Sequence, residues 1–352
     1  MVNEILNRYI SLEIEDAYGT ENSTPNTVYF GEVDDESFAT RQDLLTRQDM
    51  SHYSSAKSVT GGEYSEGGYN MAVQLDTFLA TTLLAFFPKY SESSDVHSFE
   101  EPAAGTEAQV GSKPFDSFTI RVGREAKEHT YTGMVGNRLS MSASVGEYVT
   151  LSADWVGCRE SAVSTLTNTA GTLSFSGDAL EALYFANGHV KFNNNGSFST
   201  GVVKSVSFEV NMNRDTDNAY GLGNSTYVRI PPSQRREVTG TIEFNQVIHS
   251  SSVAEPTYNG LIAEDGVQYN PGSGNDALQL QFREEAGDAT TNLMEINFYN
   301  IRFEAPEASV SGRDTQTMSV GFIALYDDTA EAVMDIKIEG GGLGDNALSW
   351  LP

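Results

Sequence analysis

The chain is poor in basic residues. Lys and Arg total 21 against 49 Asp and Glu, which gives a formal net charge of -28 over 352 residues. Duplex DNA carries one negative charge per ~1.7 Å of its axis, so a protein this acidic needs a concentrated basic patch to grip it. Only isolated basic pairs such as Arg235-Arg236 occur. The composition therefore argues against nucleic-acid binding by charge.

Cysteine and long hydrophobic runs are also scarce. Cys158 is the single cysteine, so no intramolecular disulfide can form, and we interpret it as a small core residue. The longest apolar run, residues 78–87, is too short to cross a bilayer, which takes ~20 residues in a helix. Residues 1–4 lack the basic and apolar regions of a signal peptide. The sequence predicts a protein without a membrane anchor, made in the cytoplasm.

Familiar catalytic and metal-binding motifs are missing. The patterns H-E-x-x-H, G-x-S-x-G, C-x-x-C and the P-loop do not occur, and the five histidines lack the spacing of metal ligands. Residues 215–221 resemble the start of a calcium loop. However, the glycine is displaced by one position and no acidic residue closes the loop. The sequence therefore predicts no enzyme, no catalytic residues, no metal and no cofactor.

The acidity has a second consequence, which is self-repulsion of the folded chain. In molar salt the Debye length falls to about 3 Å, and most of that repulsion is screened. We therefore hypothesise a halophilic host. An acidic protein of a mesophilic host is the alternative, and a melting series in rising salt separates the two.

Short runs in which apolar and polar residues alternate dominate the chain. Such alternation is typical of strands with one buried face. The clearest apolar sets are Ile10, Leu12, Ile14; Leu139, Met141, Ala143; Val206, Phe208, Val210; Leu278, Leu280, Phe282; Met294, Ile296, Phe298; and Met318, Val320, Phe322. Each strand would turn one face to a core and the other to solvent or a partner. The pattern predicts a mainly β protein.

One helix is predicted directly after Asp76, which can cap it. The apolar residues at helical spacing are Phe78, Leu79, Leu83 and Phe86. Pro88 stops the helix. A weaker helix is predicted over residues 252–263.

The order of predicted elements occurs twice along the chain. Each half reads strand, polar loop, strand, helix, strand, long arm and closing strand, with matching elements ~160 to 175 residues apart. We therefore expect two tandem β domains, residues 1–160 and 161–340, and a flexible glycine-rich tail over residues 341–352. Residue identity between the halves is low, and many antiparallel proteins share this order. Duplication is a hypothesis at this point.

Two long polar segments, residues 40–66 and 214–236, interrupt the alternation. Loops of this length in a compact domain are usually functional or disordered. Their mixed charge with embedded apolar residues favours docking onto a partner. The residues predicted to dock are Arg41, Leu44, Leu45, Arg47, Asp49, Arg214, Asp215, Asp217, Tyr220 and Arg235.

Short stretches spread over residues 9–326 follow the pattern of a known family. They include Pro114-Phe115-Asp116-Ser117-Phe118, Tyr131-Thr132-Gly133, Asn137-Arg138-Leu139-Ser140, Gly146-Glu147-Tyr148, Trp155-Val156-Gly157, Tyr220-Gly221-Leu222-Gly223 and Arg236-Glu237-Val238-Thr239-Gly240. Together they resemble the major tail tube proteins of long-tailed, siphovirus-like phages and haloarchaeal tailed viruses. The resemblance lies in strands and turns and not in an invariant motif.

The resemblance implies a tail-tube-type β-sandwich or barrel domain with a flanking α-helix, here expected twice in tandem. Copies of such a protein form rings that stack into the virion tail tube, the conduit for DNA ejection into the host. Three duplicated chains would give a homotrimeric ring with pseudo-sixfold symmetry, and a homohexamer is the alternative. The implied partners are other copies of the chain and the tape-measure, tail-terminator and baseplate proteins. DNA would pass through without specific binding.

The resemblance also implies a polar to acidic wall around the lumen, and it turns the docking segments into expected ring-to-ring contacts. The lumen-facing candidates on the polar faces of the predicted strands are Ser140, Ser142, Ser144, Ser207, Glu209, Asn211, Thr241 and Glu243. An ordinary solvated sheet face would carry the same residue types.

Two other functions compete with this interpretation. A virion decoration protein or distal tail adhesion module would share the β composition, but it should expose aromatic clusters and form small closed oligomers. A β-fold hydrolase would need a convergent catalytic set, and the sequence nominates none.

Overall fold

A computed structural model describes most of the chain. The described residues are 8–22, 29–47, 50–51, 53–54, 57–93, 95–101, 109–110, 113–114, 117–166, 180–194, 197–200, 202–247, 268–269, 277–284, 292–309 and 316–340. Strands dominate them, and one α-helix is present, so the predicted mainly β class is confirmed.

The strands fall on both halves of the chain. Those before residue 170 are β1 (Arg8–Ile14), β2 (Tyr29–Gly31), β3 (Asp35–Glu36), β4 (Ala39–Arg47), β5 (Lys57–Ala72), β6 (Lys89–Ser93), β7 (Val96–Glu100), β8 (Gln109–Val110), β9 (Lys113–Pro114), β10 (Phe118–Arg124), β11 (Lys127–Ser144), β12 (Thr150–Gly157) and β13 (Arg159–Thr165). Those after it are β14 (Gly188–Asn194), β15 (Ser197–Thr200), β16 (Val203–Asn211), β17 (Glu237–Phe244), β18 (Gln268–Tyr269), β19 (Leu278–Arg283), β20 (Leu293–Phe298), β21 (Asn300–Phe303), β22 (Glu307–Ser309), β23 (Thr317–Leu325) and β24 (Met334–Glu339).

Six strands lie side by side in the order β5–β12–β11–β16–β17–β23, all antiparallel, and we call them the wall sheet. The long strand β11 changes partners along its length. Its first half pairs with β10 and β13, and its second half pairs with β12 from Val135 and with β16 from Arg138. A register shift between Gly136 and Arg138 marks the change. Such irregularities bend a strand, so β11 can serve two layers.

Two further layers pack against the wall sheet. One has the order β2–β1–β10–β11–β13, and the other has the order β15–β14–β19–β20–β24–β7–β6. Aromatic pairs join the layers, with ring centroids 5.2 Å apart for Phe118 and Trp155 and 5.5 Å apart for Phe208 and Phe298. A single cluster of buried apolar side chains runs through both halves. The predicted β-sandwich is therefore confirmed.

The same pairing order occurs in both halves. The series β1–β10–β11–β13 matches β14–β19–β20–β24, and the series β5–β12–β11 matches β17–β23–β21. The halves are also joined, because β11 pairs with β16 and β7 pairs with β24. The division into residues 1–160 and 161–340 stays a prediction, and residues 341–352 lie outside the described part.

The predicted helix is confirmed as α1 (Thr77–Leu84). The Asp76 side chain accepts a hydrogen bond from the Leu79 backbone N–H at 2.7 Å, as an N-cap does. The helix ends before Phe86, and residues 78–84 are buried on every side because the helix lies within the core. The weaker helix predicted over residues 252–263 lies outside the described residues.

Removing the cap of α1 should destabilise the fold. We expect Asp76→Ala to lower the free energy of unfolding by about 1 kcal/mol, because the Leu79 N–H would lose its acceptor in a buried position. Urea unfolding of the unassembled chain measures the change. Asp76→Asn keeps a capping oxygen and should stay near the parent; equal losses in both variants would contradict a capping role.

Candidate assembly surfaces

The solvent-facing side of the wall sheet carries a continuous polar face. Ser142 lies opposite Ser207, which lies opposite Thr241, and the neighbouring rows have the same polar character. By this register, all eight residues predicted for the lumen stand on one face. They are Ser140, Ser142, Ser144, Ser207, Glu209, Asn211, Thr241 and Glu243. Their lumen position itself stays a prediction.

Carboxylates dominate the charge of this face, and two cations pair with some of them. Arg138 pairs with Asp154 at 2.9 Å and approaches Glu209 at 3.6 Å, and Lys204 pairs with Glu243 at 2.8 Å. The hydrogen bond from Lys204 lowers the pKa of the Glu243 carboxyl. The two cations tie up neighbouring acids, so the face offers DNA no concentrated cationic patch.

The sequence pattern missed part of this face. A shallow groove of about 630 Å³ runs across the wall sheet, and its lining adds Asn70, Ser152, Thr239 and Glu304 to the predicted residues. Alternation alone could have found Ser152 and Thr239, because Ser152 lies between the buried residues Leu151 and Ala153 and Thr239 follows the buried Val238.

Residues 40–47 and 57–66 form the two strands of a hairpin, and the prediction of a loop there is wrong. Strands β4 and β5 pair from Ala39 opposite Glu66 out to Arg47 opposite Lys57. Strand β5 pairs with β12 only over Ser65–Ala72. The strand segments 43–47 and 57–62, which we call the outer hairpin, therefore project beyond the wall sheet. Both faces of that part are exposed, and a strand without a buried face shows no apolar alternation. The sequence of the hairpin therefore resembles that of a polar loop.

The outer hairpin carries exposed apolar side chains. Leu44 is 66% exposed and Leu45 is 58% exposed, and Met50 and Tyr53 near the tip are fully exposed. Among the residues predicted to dock, Arg47 lies on the same outer part, while Arg41 pairs with Glu66 nearer the base at 2.7 Å. Asp49 lies outside the described residues. Apolar groups clustered on a projecting arm are typical of a protein–protein contact.

The base of the hairpin is fixed to the second polar segment. The Glu63 backbone N–H donates to the Ser225 carbonyl at 2.7 Å, and the rings of Tyr64 and Tyr227 stack at 6.0 Å. Tyr220 packs edge-on against Tyr227 at 4.8 Å. A Cβ on Gly62 would come within 2.8 Å of the Tyr220 hydroxyl, so a side chain there would disturb this contact. These contacts fix the orientation of the hairpin relative to residues 220–227.

The second segment, residues 214–236, is irregular, as predicted, and several of its side chains contact the rest of the fold. The Arg214 guanidinium donates to the carbonyls of Gly136 and Pro231, each at 3.1 Å, and burial lowers its pKa to about 10. Asp215 accepts hydrogen bonds from Asn218, which lower the pKa of that carboxyl. Arg214 and Tyr220 therefore stabilise the segment. Among the residues of this segment that were predicted to dock, Asp217 and Arg235 are exposed.

Within the described residues, no three His, Cys, Asp or Glu side chains are grouped to hold a metal ion. Over that same part of the chain, no helix is both long and apolar enough for a membrane span.

The fold and its exposed surfaces define a β-sandwich protein built for assembly with other copies. Residues 6–324 match the family described as phage tail tube protein, and the chain belongs to that family. No curated protein matches the chain. The family makes this chain a structural protein of the virion tail that assembles into a tube with other tail proteins.

Proposed function

We propose that three copies of the chain close into a ring and that the rings stack into a tube through which viral DNA is ejected into the host. The observation that carries the proposal is the largely polar face of the wall sheet, which extends over both halves and whose cations Arg138 and Lys204 are paired with neighbouring acids. A strand-lined channel needs such a face, because a concentrated cationic patch would hold the phosphate backbone of passing DNA.

The repeated pairing order supports a ring of three. Each half contributes three strands to the wall sheet, β5, β12 and β11 from the first half and β16, β17 and β23 from the second. The pairing series β5–β12–β11 in the first half matches β17–β23–β21 in the second. If the halves arose by tandem duplication, three chains supply six equivalent units, and the ring has pseudo-sixfold symmetry. Rings of identical subunits close through heterologous contacts repeated by rotation. A homohexamer is the alternative arrangement.

The outer hairpin is the proposed ring-to-ring contact. Its apolar residues Leu44 and Leu45 are exposed in the single chain, and the anchoring at Tyr64 and Tyr227 holds the arm in place. At the ends of the tube, the same surfaces would meet the tape-measure, tail-terminator and baseplate proteins.

Electron microscopy of the purified protein at low and at molar salt tests the proposal. We expect hollow tubes or stacked rings, more abundant at molar salt, because the net charge of -28 opposes assembly when it is unscreened. Averaged rings should contain three chains and six similar lobes. Six chains per ring would establish the homohexamer, and small closed oligomers without a lumen would favour a decoration or adhesion protein.

A further inference from the structure

The wall sheet contains one junction between the two halves of the chain, where β11 meets β16. The strands pair from Arg138 opposite Asn211 to Ser144 opposite Ser205. Backbone hydrogen bonds extend the junction at both ends, from Met212 N–H to the Asn137 carbonyl at 2.8 Å and from Val145 N–H to the Lys204 carbonyl at 3.1 Å. The junction thus shows how one half of the wall joins the next.

The two outer ends of the wall repeat the two sides of this junction. Residues 304–309, with β22, lie along β23 as the second half of β11 lies along β12. Residues 34–37, with β3, lie along β5 as β16 lies along β17. Within the described part of the chain, neither β22 nor β3 pairs with a further strand on its outer side, although β18 pairs with β21 directly before residues 304–309. The wall therefore ends in two edges that match the halves of its own internal junction.

Two equivalent clefts of different volume give independent evidence that a strand segment is missing from the wall of the single chain. An open cleft of about 780 Å³ lies between β1, β10 and residues 31–36. The equivalent space in the second half, between β14, β19 and the start of β16, measures only about 70 Å³. Residues 143–145 at the end of β11 line this smaller space and narrow it. The large cleft is thus the same site without the end of a neighbouring wall strand inside it.

We propose that the open cleft along residues 31–36 receives residues 304–309 of a second copy of this chain. The incoming segment pairs antiparallel with residues 34–37, continues the wall sheet and closes the ring. This inference rests on the proposed ring, and it assigns the two edges that meet. Transfer of the internal register, in which Ser142 lies opposite Ser207, places Glu307 of one copy opposite Asp35 of the next.

Charge distinguishes this contact from the internal junction. It brings Asp34 and Asp35 of one copy close to Glu304 and Glu307 of the next, and all four side chains are exposed in the single chain. Like charges directly opposite each other destabilise a strand pair. The internal junction has serines at the matching row instead. Closure therefore depends on salt, because molar salt screens charges beyond about 3 Å.

Disulfide trapping in molar salt tests the assignment. The double variant Glu307→Cys, Asp35→Cys should form cross-links between chains under mild oxidation, up to a covalently closed ring of three chains. The geometry is suitable, because odd-numbered residues at the junction, Asn137 in β11 and Val145 just after it, take part in the ladder hydrogen bonds and the Ser142 row lies between such rows. Side chains are closest in such non-hydrogen-bonded rows. Native Cys158 is buried and does not interfere.

A matched control pair exists within the chain. The variant Ser142→Cys, Ser207→Cys occupies the same row of the internal junction and should cross-link within one chain, without a gain in mass. Each single variant at residue 307 or 35 should stay uncross-linked. Microscopy of the same samples separates the two proposals. Rings or tubes without interchain cross-links would overturn the assigned edges alone, whereas chains that neither assemble nor cross-link would overturn the ring as well.

Discussion

A chain without the outer hairpin should fold normally and fail to form tubes. The change replaces residues 43–62 with Asn-Gly, a two-residue turn suited to joining Gln42 and its partner Glu63. The core should be unaffected, because the removed strand segments lie beyond the last pair between β5 and β12 and pack on no core layer. We expect single rings or free chains by electron microscopy at molar salt, where the parent forms tubes.

Two leucines should account for much of this effect. Leu44 and Leu45 are largely exposed in the single chain, and burying them on the next ring would contribute about 1 to 2 kcal/mol each. Every subunit of the ring makes the same contact, so the loss of stacking free energy is summed over all subunits. We therefore expect Leu44→Ser, Leu45→Ser to abolish tubes while leaving the melting temperature of the unassembled chain unchanged.

The conservative variant Leu44→Ile, Leu45→Ile is the matched control. It keeps the apolar surface and suits a strand, so it should form tubes like the parent. Normal tubes from the serine variant, or from the shortened chain, would show that stacking uses another surface.

The second large effect is expected at Arg121, which holds a buried ion pair. Its guanidinium lies 3.0 Å from Glu13 and 2.7 Å from Glu21, and the Glu13 side chain is only 1% exposed. Burial alone would lower the pKa of Arg121, but the hydrogen bond to Glu21 and the charge of Glu13 raise it overall. The arginine is therefore charged at any pH at which the protein folds.

We expect Arg121→Met to lower the free energy of unfolding by about 3 to 5 kcal/mol, because it leaves the Glu13 carboxylate buried beside an uncharged side chain. Glu21 is 41% exposed and can return to water. Adding Glu13→Leu should restore most of the stability, since an apolar pair can replace a buried ion pair with little loss. Urea unfolding of the unassembled chain measures all three proteins.

An exposed ion pair provides the comparison for this prediction. Arg8 and Glu125 lie 2.9 Å apart, with side chains 65% and 67% exposed. Arg8→Met should therefore change stability by less than about 1 kcal/mol. If Arg121→Met were no more harmful than Arg8→Met, the buried pair would have no special role in the fold.

Local patterns in the sequence were sufficient for the parts of the fold that have one buried face. Alternation predicted the wall strands around Leu139, Val206 and Met318, and the register puts their polar neighbours on one shared face, as expected. The capping residue and apolar spacing predicted α1, because a cap and its helix lie within a few residues of each other. These signals need no knowledge of distant parts of the chain.

The tertiary structure decided everything that depends on distant partners. The hairpin strands bury neither face in the single chain, so their sequence resembles a polar loop, and Arg214 turned inward because carbonyls of Gly136 and Pro231 are close in space. The repeated pairing order and the two unequal clefts emerge only from strand registers, since residue identity between the halves is low. A strand's composition records whether its faces are buried, but the identity of its neighbours is set by the packing of the whole chain.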